Sequence, residues 1–175
     1  MMSEPDIRDQ LENHHRASFG WALCCCGRDP LEAENVLQIV YIKILEGKAR
    51  YDGQSTFKTW LFSVIRRTAA EERRRRILYE LRLLKYESAG GRVSPTEGPD
   101  QTLYRTEIQT MFQQALASLS ARQQSVLQLV FYHDLSVRQA AEVMGLSVGS
   151  ARIHYERGKK RLREWWEGVR VSHES

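Results

Sequence analysis

The sequence predicts an all-α protein in which two small helical domains are joined by a flexible linker. Apolar side chains recur every three or four residues through most of the chain, and no segment shows the alternation that is typical of a β-strand. One stretch near the middle is rich in Gly, Pro, Ser and Glu and has no apolar period. We therefore place the two domains at residues 1–86 and 105–175, with the linker at residues 87–104.

Composition and charge restrict the class of protein. The 175 residues are 42% hydrophobic and 27% charged, which is typical of a globular protein, and the net charge of +4 mildly favours a polyanionic partner. No apolar run reaches the roughly 18 residues of a membrane-spanning helix, and the acidic N-terminus lacks the pattern of a signal peptide. The three cysteines are adjacent, so they cannot form a disulfide framework. We expect a cytoplasmic protein without membrane insertion.

Three helices are predicted in the first domain. The first lies between Ile7 and Cys26, and the second covers Leu31–Glu46. A polar loop follows, and Ser55 or Thr56 caps the third helix, because a hydroxyl accepts the free backbone N–H groups of a first turn. The third helix has the clearest apolar stripe of the chain. The members of this stripe are Phe57, Trp60, Leu61, Val64, Ile65 and Thr68.

Helices are also predicted in the second domain. Ser120 caps one of them, and two further helices follow at Val137–Met144 and from Val148 to about Trp166. We expect the adjacent Trp165 and Trp166 to pack the last helix onto the domain.

The last two helices have the spacing of a helix-turn-helix. Ala140 and Ala141 are small at the point where the helices must cross closely, and Gly145 is placed where the turn needs a positive φ angle. Ser147 can cap the second helix, and Ala151 faces back toward the first. These positions together predict a DNA-binding motif.

The second helix of this motif is strongly basic. Between Arg152 and Arg163 six Lys and Arg residues stand against one Glu. A helix whose first turns lie in the major groove, with basic flanks on the phosphates, explains this layout. The alternative is a helical hairpin with a solvated basic face, but the small-residue spacing and the charge coincide, which favours DNA binding.

A second basic region follows the apolar stripe of the third helix. Six arginines occur within residues 66–76, offset by two glutamates. Aromatic side chains beside a basic strip are typical of proteins that bind single-stranded nucleic acid, where bases stack and phosphates are neutralised. The alternative is a solvated helix surface, and core packing explains Phe57 and Trp60 at least equally well. Tyr51 and the polar loop around it are better candidates for contacting bases.

Four segments, taken in this order with the linker between the second and third, resemble the motifs of the extracytoplasmic-function (ECF) sigma factors of bacterial RNA polymerase. The resemblance covers residues 19–166. The family motifs are Asp-Ala-Glu-Asp-x-x-Gln, Trp-Leu-Phe-Arg-Ile-Ala-Arg-Asn with Asp-x-x-Arg, Leu-Pro-x-Arg-x-Arg-x-Val-Leu and Leu-Ser-x-x-Glu-Ile-Ala with its glycine-containing turn. The matching segments are Glu32–Gln38, Trp60–Arg67 with Glu71–Arg74, Leu119–Leu127 and Leu135–Ala151.

The resemblance implies a function without catalysis. A protein of this family binds the largest and second-largest subunits of core RNA polymerase, directs the enzyme to specific promoters and promotes DNA melting, in many cases under the control of an anti-sigma factor. The first domain would correspond to sigma region 2 and the second to the helix-turn-helix of region 4, with the linker threading toward the RNA exit path. No cofactor and no metal is implied.

The resemblance also assigns roles to three groups of residues. Core polymerase would be contacted by Glu32, Glu34, Asn35 and Gln38. The melted promoter strand would be contacted by Tyr51, Ser55, Thr56, Lys58, Trp60, Arg66, Arg67, Arg73 and Arg74. Duplex DNA would be contacted by the helix-turn-helix residues Arg138, Ser147, Ser150, Arg152, His154, Tyr155, Arg157 and Lys160.

The chain departs from the family pattern at several of these positions. Asn35 stands where the family has an aspartate and Ile39 where a glutamate is common, so the acidic docking face loses charge. Each lost contact with a polymerase arginine costs on the order of 1 kcal/mol. Arg138 replaces the usual glutamate of the helix-turn-helix, and Ile153 and His154 replace a Ser-Arg pair. The promoter sequence therefore does not transfer from relatives.

Other classes of function stay open at this level. A stand-alone helix-turn-helix regulator would bind duplex DNA without polymerase, but it leaves the basic first domain unexplained. An enzyme would need a nucleophile motif, a phosphate loop or a metal-ligand spacing, and the sequence has none. Cys24–Cys26, with His14 and His15 upstream, suggest a metal or redox sensor. Against this, three consecutive helical positions spread over about 200° and cannot converge on one ion.

Overall fold

Helices joined by short turns make up the described parts of the protein. The computed structural model describes residues 4–87 and 114–173, so most of the predicted linker and the start of the second domain lie outside the described residues. The helices are α1 (Glu4–Cys25), α2 (Pro30–Leu45), α3 (Phe57–Glu87), α4 (Ala121–Leu127), α5 (Val137–Met144) and α6 (Val148–His173). A π-helical turn, Gln128–Tyr132, continues α4. These ranges contain no β-strand, which confirms the all-α class.

The first three helices form a bundle that buries the apolar stripe of α3. Leu61 and Ile65 of this stripe are fully buried, together with Phe62, Trp21 of α1 and Val40 of α2. Each such side chain contributes about 1.5–3 kcal/mol when it leaves water. The indole N–H of Trp21 donates to the carbonyl oxygen of Phe62 (3.0 Å), so this buried polar group has a partner. The predicted stripe is confirmed as the centre of the first core.

Side-chain caps mark the beginnings of several helices. Asp29 accepts two backbone N–H groups in the first turn of α2. Thr56 Oγ1 accepts a backbone N–H of the first turn of α3 (3.2 Å), so Thr56 rather than Ser55 caps that helix. Ser120 and Ser136 cap α4 and α5, and each forms a capping box with the glutamine three residues later. These local contacts begin the helices where the sequence predicts them.

Two ion pairs join α2 to α3 on the outside of the bundle. Lys43 Nζ lies 2.7 Å from a carboxylate oxygen of Glu71 and 3.3 Å from the hydroxyl of Thr68. The hydrogen bond from Lys43 holds the pKa of Glu71 below its ordinary value. Glu32 pairs with Arg76 further along. Both pairs are partly exposed and contribute about 0–1 kcal/mol each, so apolar packing rather than charge holds the bundle together.

The helix-turn-helix has the predicted geometry. Gly145 ends α5 with φ of 63° and ψ of 38°, the left-handed conformation that the turn requires. Ala140 and Ala151 have no exposed surface, which shows that the two helices cross closely at these small residues. Ser147 Oγ accepts the backbone N–H of Ser150 (3.1 Å) and caps α6.

The second half packs against the first through α5 on α3 and through the π-helical turn on α1. His133, which follows that turn, is almost fully buried. The His133 ring lies edge-on to the rings of Trp21 and Phe62, with centroids 6.2 and 4.8 Å away. Lys58 Nζ donates to the carbonyl oxygen of His133 (2.6 Å). The buried apolar residues of the two halves therefore form one continuous cluster.

Two helices are longer than predicted. α3 runs to Glu87 and so includes the first residue of the predicted linker, and α6 runs to His173 instead of ending near Trp166. The prediction that Trp166 packs onto the domain is wrong, because its side chain is 57% exposed. Trp166 lies about 80° around the helix axis from the buried line through Ala151 and Gly158. None of the described helices is apolar over a length that would cross a bilayer.

Gly145→Ala is expected to lower the free energy of unfolding by about 1 kcal/mol, because a Cβ atom disfavours the left-handed conformation. Gly149→Ala is the matched control, since a Cβ there would meet no atom within 4 Å. In a helix the exchange of Gly for Ala raises stability by up to about 1 kcal/mol. Urea unfolding followed by circular dichroism measures both variants, and equal destabilisation by the two would contradict the assigned turn.

Candidate polymerase and nucleic-acid interfaces

The outward face of α2 carries three of the four residues predicted to contact polymerase. Glu34, Asn35 and Gln38 are exposed and lie within an arc of about 100° around the helix axis. Glu32 lies beside this arc, where it pairs with Arg76 of α3. Carboxylate and amide groups aligned on one helix face offer acceptors to the Arg and Lys side chains of a protein partner.

The same arc of α2 holds large apolar side chains that the sequence did not single out as contacts. Leu31 is 73% exposed and Ile42 is 53% exposed, and Leu45 lies in line with them. Exposed apolar residues in a row with polar ones are typical of a protein–protein contact. A helical projection of the sequence would have found them, because residues 31, 38, 42 and 45 share one phase that differs from the phase of buried Val36 and Val40.

Three aromatic rings form a cluster at the beginning of α3. The ring centroids of Tyr51, Phe57 and Trp60 lie 5.3 to 5.4 Å apart in each pair. Phe57 is buried, so it belongs to the core, while Tyr51 and Trp60 are half-buried and keep part of each ring at the surface. The Tyr51 hydroxyl donates to the carbonyl oxygen of Ser55 (2.5 Å), which ties the loop to the cluster. Thr56 is exposed at the beginning of the helix.

Four arginines predicted to contact the melted strand lie on one face of α3. Arg66, Arg67, Arg73 and Arg74 share an arc of about 120°, opposite the buried stripe. Arg67 donates to Ser63, and Arg73 donates to the carbonyl oxygen at position 25 (3.5 Å). Within residues 4–87 and 114–173 none of these four guanidinium groups forms a salt bridge. Their charge is therefore available to phosphates.

Lys58, another residue predicted to contact the melted strand, lies between the two halves. Its Nζ donates to the carbonyl oxygen of His133 and lies 5.8 Å from the ring centroid of Phe62. Burial of the ring, and then the charge of Lys58, lower the pKa of His133 to about 4, although Asp134 acts in the opposite direction. The His133 ring is thus neutral near pH 7, and its Nε2 has no hydrogen-bond partner among the described residues.

A cleft of about 640 Å³ lies between the arginine face of α3 and the second half. Its lining includes Arg66, Arg67 and Arg73 of α3, Asn35 of α2 and Gln124 of α4. The cleft therefore adjoins both the predicted polymerase-binding face and the predicted strand-binding face. Four arginines and two glutamates line the cleft, and this excess of positive charge suits a phosphodiester backbone better than an apolar ligand.

The cysteine triplet has the properties of structural thiols. Burial raises the pKa of each thiol in Cys24–Cys26, which disfavours the reactive thiolate form. His15 Nδ1 hydrogen-bonds with the hydroxyl of Tyr41 (3.0 Å), and His14 stacks on Phe57 with centroids 6.0 Å apart. Among the described residues no group of His, Cys, Asp or Glu is arranged to hold a metal ion.

One face of α6 packs on α4 and α5, and the opposite face is open. Ala151 and Gly158 lie on the inner face, and a Cβ at Gly158 would be 2.9 Å from Cδ1 of Leu127. Arg152, Arg157 and Lys160, three of the predicted DNA contacts, are exposed around the outer face. Arg138 of α5 is exposed as well, and Ser147 and Ser150 hydrogen-bond to each other (2.9 Å) at the beginning of α6.

Two residues predicted to contact duplex DNA lie toward the inner side of α6. The Tyr155 ring stacks on Phe131 with centroids 5.8 Å apart, and Lys159 Nζ lies 4.4 Å from the Tyr155 centroid. His154 is half-buried. Their positions favour a role in supporting the helix over a role in direct contact with bases.

The centre of the outer face is occupied by residues absent from the predicted contacts. Gly149, Ile153 and Glu156 are exposed and follow one another at spacings of four and three residues. This line lies opposite Ala151 and Gly158. The spacing is visible in the sequence, but the identity of the inner face depends on which neighbours pack against it.

Both halves of the chain match family models. The model described as sigma-70 region 2 matches residues 11–77, and the model described as sigma-70, region 4 matches residues 109–162. Together the two models cover more than half of the chain. Two relatives come from Bacillus subtilis (strain 168). RNA polymerase sigma factor YlaC is 28% identical over 132 residues (75% of this chain, 76% of the relative), and ECF RNA polymerase sigma factor SigX is 27% identical over 146 residues (82% and 75%).

Solved structures share the fold. The sigma factor RpoE from Bartonella quintana, in a co-crystal structure with the anti-sigma factor NepR, superposes with a TM-score of 0.67 at 23% identity and covers 93% of this chain and 97% of that chain. CnrH, in complex with the cytosolic domain of CnrY, gives a TM-score of 0.61 at 16% identity and covers 95% and 90%.

Acidification is expected to weaken the contact between the halves through His133. Its pKa is about 4 in the folded protein against an ordinary 6.5, so the unfolded chain binds the proton first. The stabilisation is therefore complete above pH 6.5 and is lost as the pH falls toward 4. We expect the wild type to lose on the order of 1–3 kcal/mol over this interval relative to His133→Phe. Urea unfolding at a series of pH values measures the difference, and parallel curves for the two proteins would contradict it.

Proposed function

Because the chain belongs to the extracytoplasmic-function sigma factors of the sigma-70 family, we propose that it acts in the cytoplasm, where it binds core RNA polymerase, directs it to specific promoters and promotes DNA melting. The observation that carries this proposal is the presence of both sigma-70 regions in one chain, each on its own helical half. Sigma factors are transcription initiation factors, so the bond-forming chemistry belongs to the polymerase and this chain supplies binding energy alone.

Docking on polymerase would use the outward arc of α2. Glu34, Asn35 and Gln38 would accept hydrogen bonds from basic side chains of the largest subunit, while Leu31 and Ile42 would lose their contact with water. The apolar part of this face offsets the charge that is missing at position 35, since burial of a large apolar side chain contributes about 1.5–3 kcal/mol. A docking face of this kind keeps affinity at higher salt better than a purely acidic one.

Melting would use the aromatic cluster and the arginine face of α3. An unpaired base can stack on the exposed part of Tyr51 or Trp60, and each such stack contributes about 1–3 kcal/mol. The row from Arg66 to Arg74 would follow the phosphates of the same strand, aided by the cationic cleft. Stacking and neutralisation together offset the free energy of lost base pairing. Ser55 and Thr56 would shape the loop that receives the base.

Contacts made by α6 would set the position of the protein along the promoter. Its first turns would enter the major groove, with Arg152 toward base edges and with Arg157 and Lys160 toward phosphates. The N-terminal cap formed by Ser147 and Ser150 orients the beginning of the helix, and Arg138 of α5 would contact the backbone beside it.

An anti-sigma protein is proposed as the regulator. The RpoE structure contains the anti-sigma factor NepR, and the CnrH structure contains the cytosolic domain of CnrY. This chain aligns with almost the whole length of RpoE and of CnrH. When the two halves are in contact, Lys58 donates a hydrogen bond to the backbone carbonyl oxygen of His133. The proposed strand-binding surface is therefore incomplete while the halves are in contact, which is the state that an inhibitor would favour.

A stand-alone regulator is not favoured, because residues 11–77 match sigma-70 region 2. A regulator that binds duplex DNA without polymerase does not need this region. The discriminating experiment is in vitro transcription on a promoter library with core polymerase, with and without this protein. We expect transcripts that require the protein. Specific duplex binding without polymerase, together with failure to bind core enzyme, would overturn the proposal.

Glu34→Lys is expected to weaken core polymerase binding by about ten- to a hundredfold, because it places a positive charge on a face proposed to meet basic side chains. Glu12→Lys, on an exposed position of α1, is the matched control and should bind as the wild type does. Fluorescence anisotropy with labelled protein and core enzyme measures both affinities. Equal losses would show a general charge effect and not a docking face.

Tyr51→Ala is expected to reduce open-complex formation by about five- to a hundredfold, because it removes a ring on which an unpaired base can stack. Tyr51→Phe is the control, since it keeps the ring and loses only the hydrogen bond to Ser55. Permanganate footprinting of unpaired thymines measures the melted fraction. A defect in the phenylalanine variant as large as that in the alanine variant would assign the role to the hydroxyl and the loop.

A further inference from the structure

Ile153 is a large apolar side chain at the centre of the open face of α6. It is 51% exposed and does not belong to the buried cluster or to the residues packed against it. Exposed Arg152 and Arg157 flank it along the helix, and Lys160 lies two turns further on the same face. A single exposed isoleucine is common on protein surfaces. Ile153 differs from such cases because it lies among cationic side chains on the face proposed to meet DNA.

The residues one turn before and one turn after Ile153 do not cover the centre of the open face of α6. Glu156, one turn later, is held by Lys159, whose Nζ lies 3.2 Å from the Glu156 carboxylate. Gly149, one turn earlier, has no side chain, and a Cβ there would meet no atom within 4 Å. Ile153 is therefore the large apolar side chain at the centre of this open face.

On the premise of the proposed function, we propose that Ile153 reads a thymine in the distal promoter element through the C5-methyl group of that base. The thymine methyl is the one apolar group that base pairs present in the major groove. An isoleucine has no hydrogen-bond donor or acceptor. Placed over the N4 amino group of cytosine or the O6 and N7 acceptors of guanine, it would remove water from these groups without replacing their hydrogen bonds. The preference for thymine thus has an attractive and a repulsive part.

The positions of these side chains on α6 assign a different DNA contact to each. Arg152 supplies donors that can reach guanine acceptors, and Arg157 and Lys160 supply charge for phosphates. Ile153 adds selectivity for a methyl group and no net charge. Its substitution changes which base is preferred at one position and leaves the salt dependence of binding unchanged.

Removing single methyl groups from the DNA tests this assignment. Promoters are first selected from a library with a randomised distal element, with holoenzyme made from the full chain and core polymerase. Each thymine of a selected element is then replaced, one at a time, by deoxyuridine, which lacks only the methyl group. At one position we expect wild-type holoenzyme to bind about fourfold more weakly, the factor that corresponds to one methyl group. Holoenzyme with Ile153→Ala should show no loss there.

Two controls separate this contact from general effects. Ile77→Ala makes the same deletion at a 46% exposed isoleucine of α3, and holoenzyme carrying it should keep the full sensitivity to deoxyuridine. Replacing the critical thymine by 5-methylcytosine, which restores the methyl group, should bind better than cytosine with the wild type and equally with Ile153→Ala.

Two results would overturn the inference while leaving the proposed function intact. One is an equal deoxyuridine effect at every position with the wild type and with Ile153→Ala. The other is a set of selected elements that contain no preferred thymine. A holoenzyme that shows no sequence preference at all for the distal element would overturn the proposed function, and the assignment of Ile153 with it.

Discussion

The burial of one stripe of α3 is the constraint on which the rest of the structure depends. Leu61 and Ile65 are fully buried in the bundle of α1, α2 and α3. Because α3 is one continuous helix of 31 residues, burial of this stripe fixes the direction of every other side chain on the helix. The rotation that buries these residues also directs Arg66 and Arg73 to the opposite side. The same rotation places Trp60 beside Tyr51 at the beginning of the helix. Core packing thus arranges the helical part of the proposed strand-binding surface, and the hydrogen bond from Tyr51 to Ser55 fixes the loop beside it.

The contact between the halves uses the same helix from another side. His133 fits between Trp21 and Phe62, so the core of the first half continues into the second. A neutral imidazole suits this place, because a charged ring would lose its hydration and would face the ammonium group of Lys58. Lys58 accordingly serves the contact between the halves in this arrangement, although its position on α3 also suits DNA.

Charge and apolar burial play different parts in the proposed interfaces. The ion pairs of Lys43 and Glu32 are partly exposed and add little stability. Arg66, Arg67, Arg73 and Arg74, which form no salt bridge with the described residues, instead keep their charge for a polyanion. On α2 and α6 the exposed apolar residues Leu31, Ile42 and Ile153 stand among polar ones. Polar neighbours bring long-range attraction and orientation, whereas the apolar groups give affinity that depends on close fit.

The sequence by itself determined the features that depend on near neighbours in the chain. Serine and aspartate caps, the glycine at the left-handed turn and the helical spacing of the stripe act within a few residues, so the helices and the helix-turn-helix could be predicted from them. Tertiary structure decided which neighbours each side chain meets across the chain. Tyr155 stacks on Phe131 of the π-helical turn, Ile153 lies on the open face of α6, and Lys58 contacts His133 across 75 positions of the chain. A local apolar pattern indicates which face of a helix is buried, but the partner of a buried or bridging side chain comes from a distant segment that no local pattern contains.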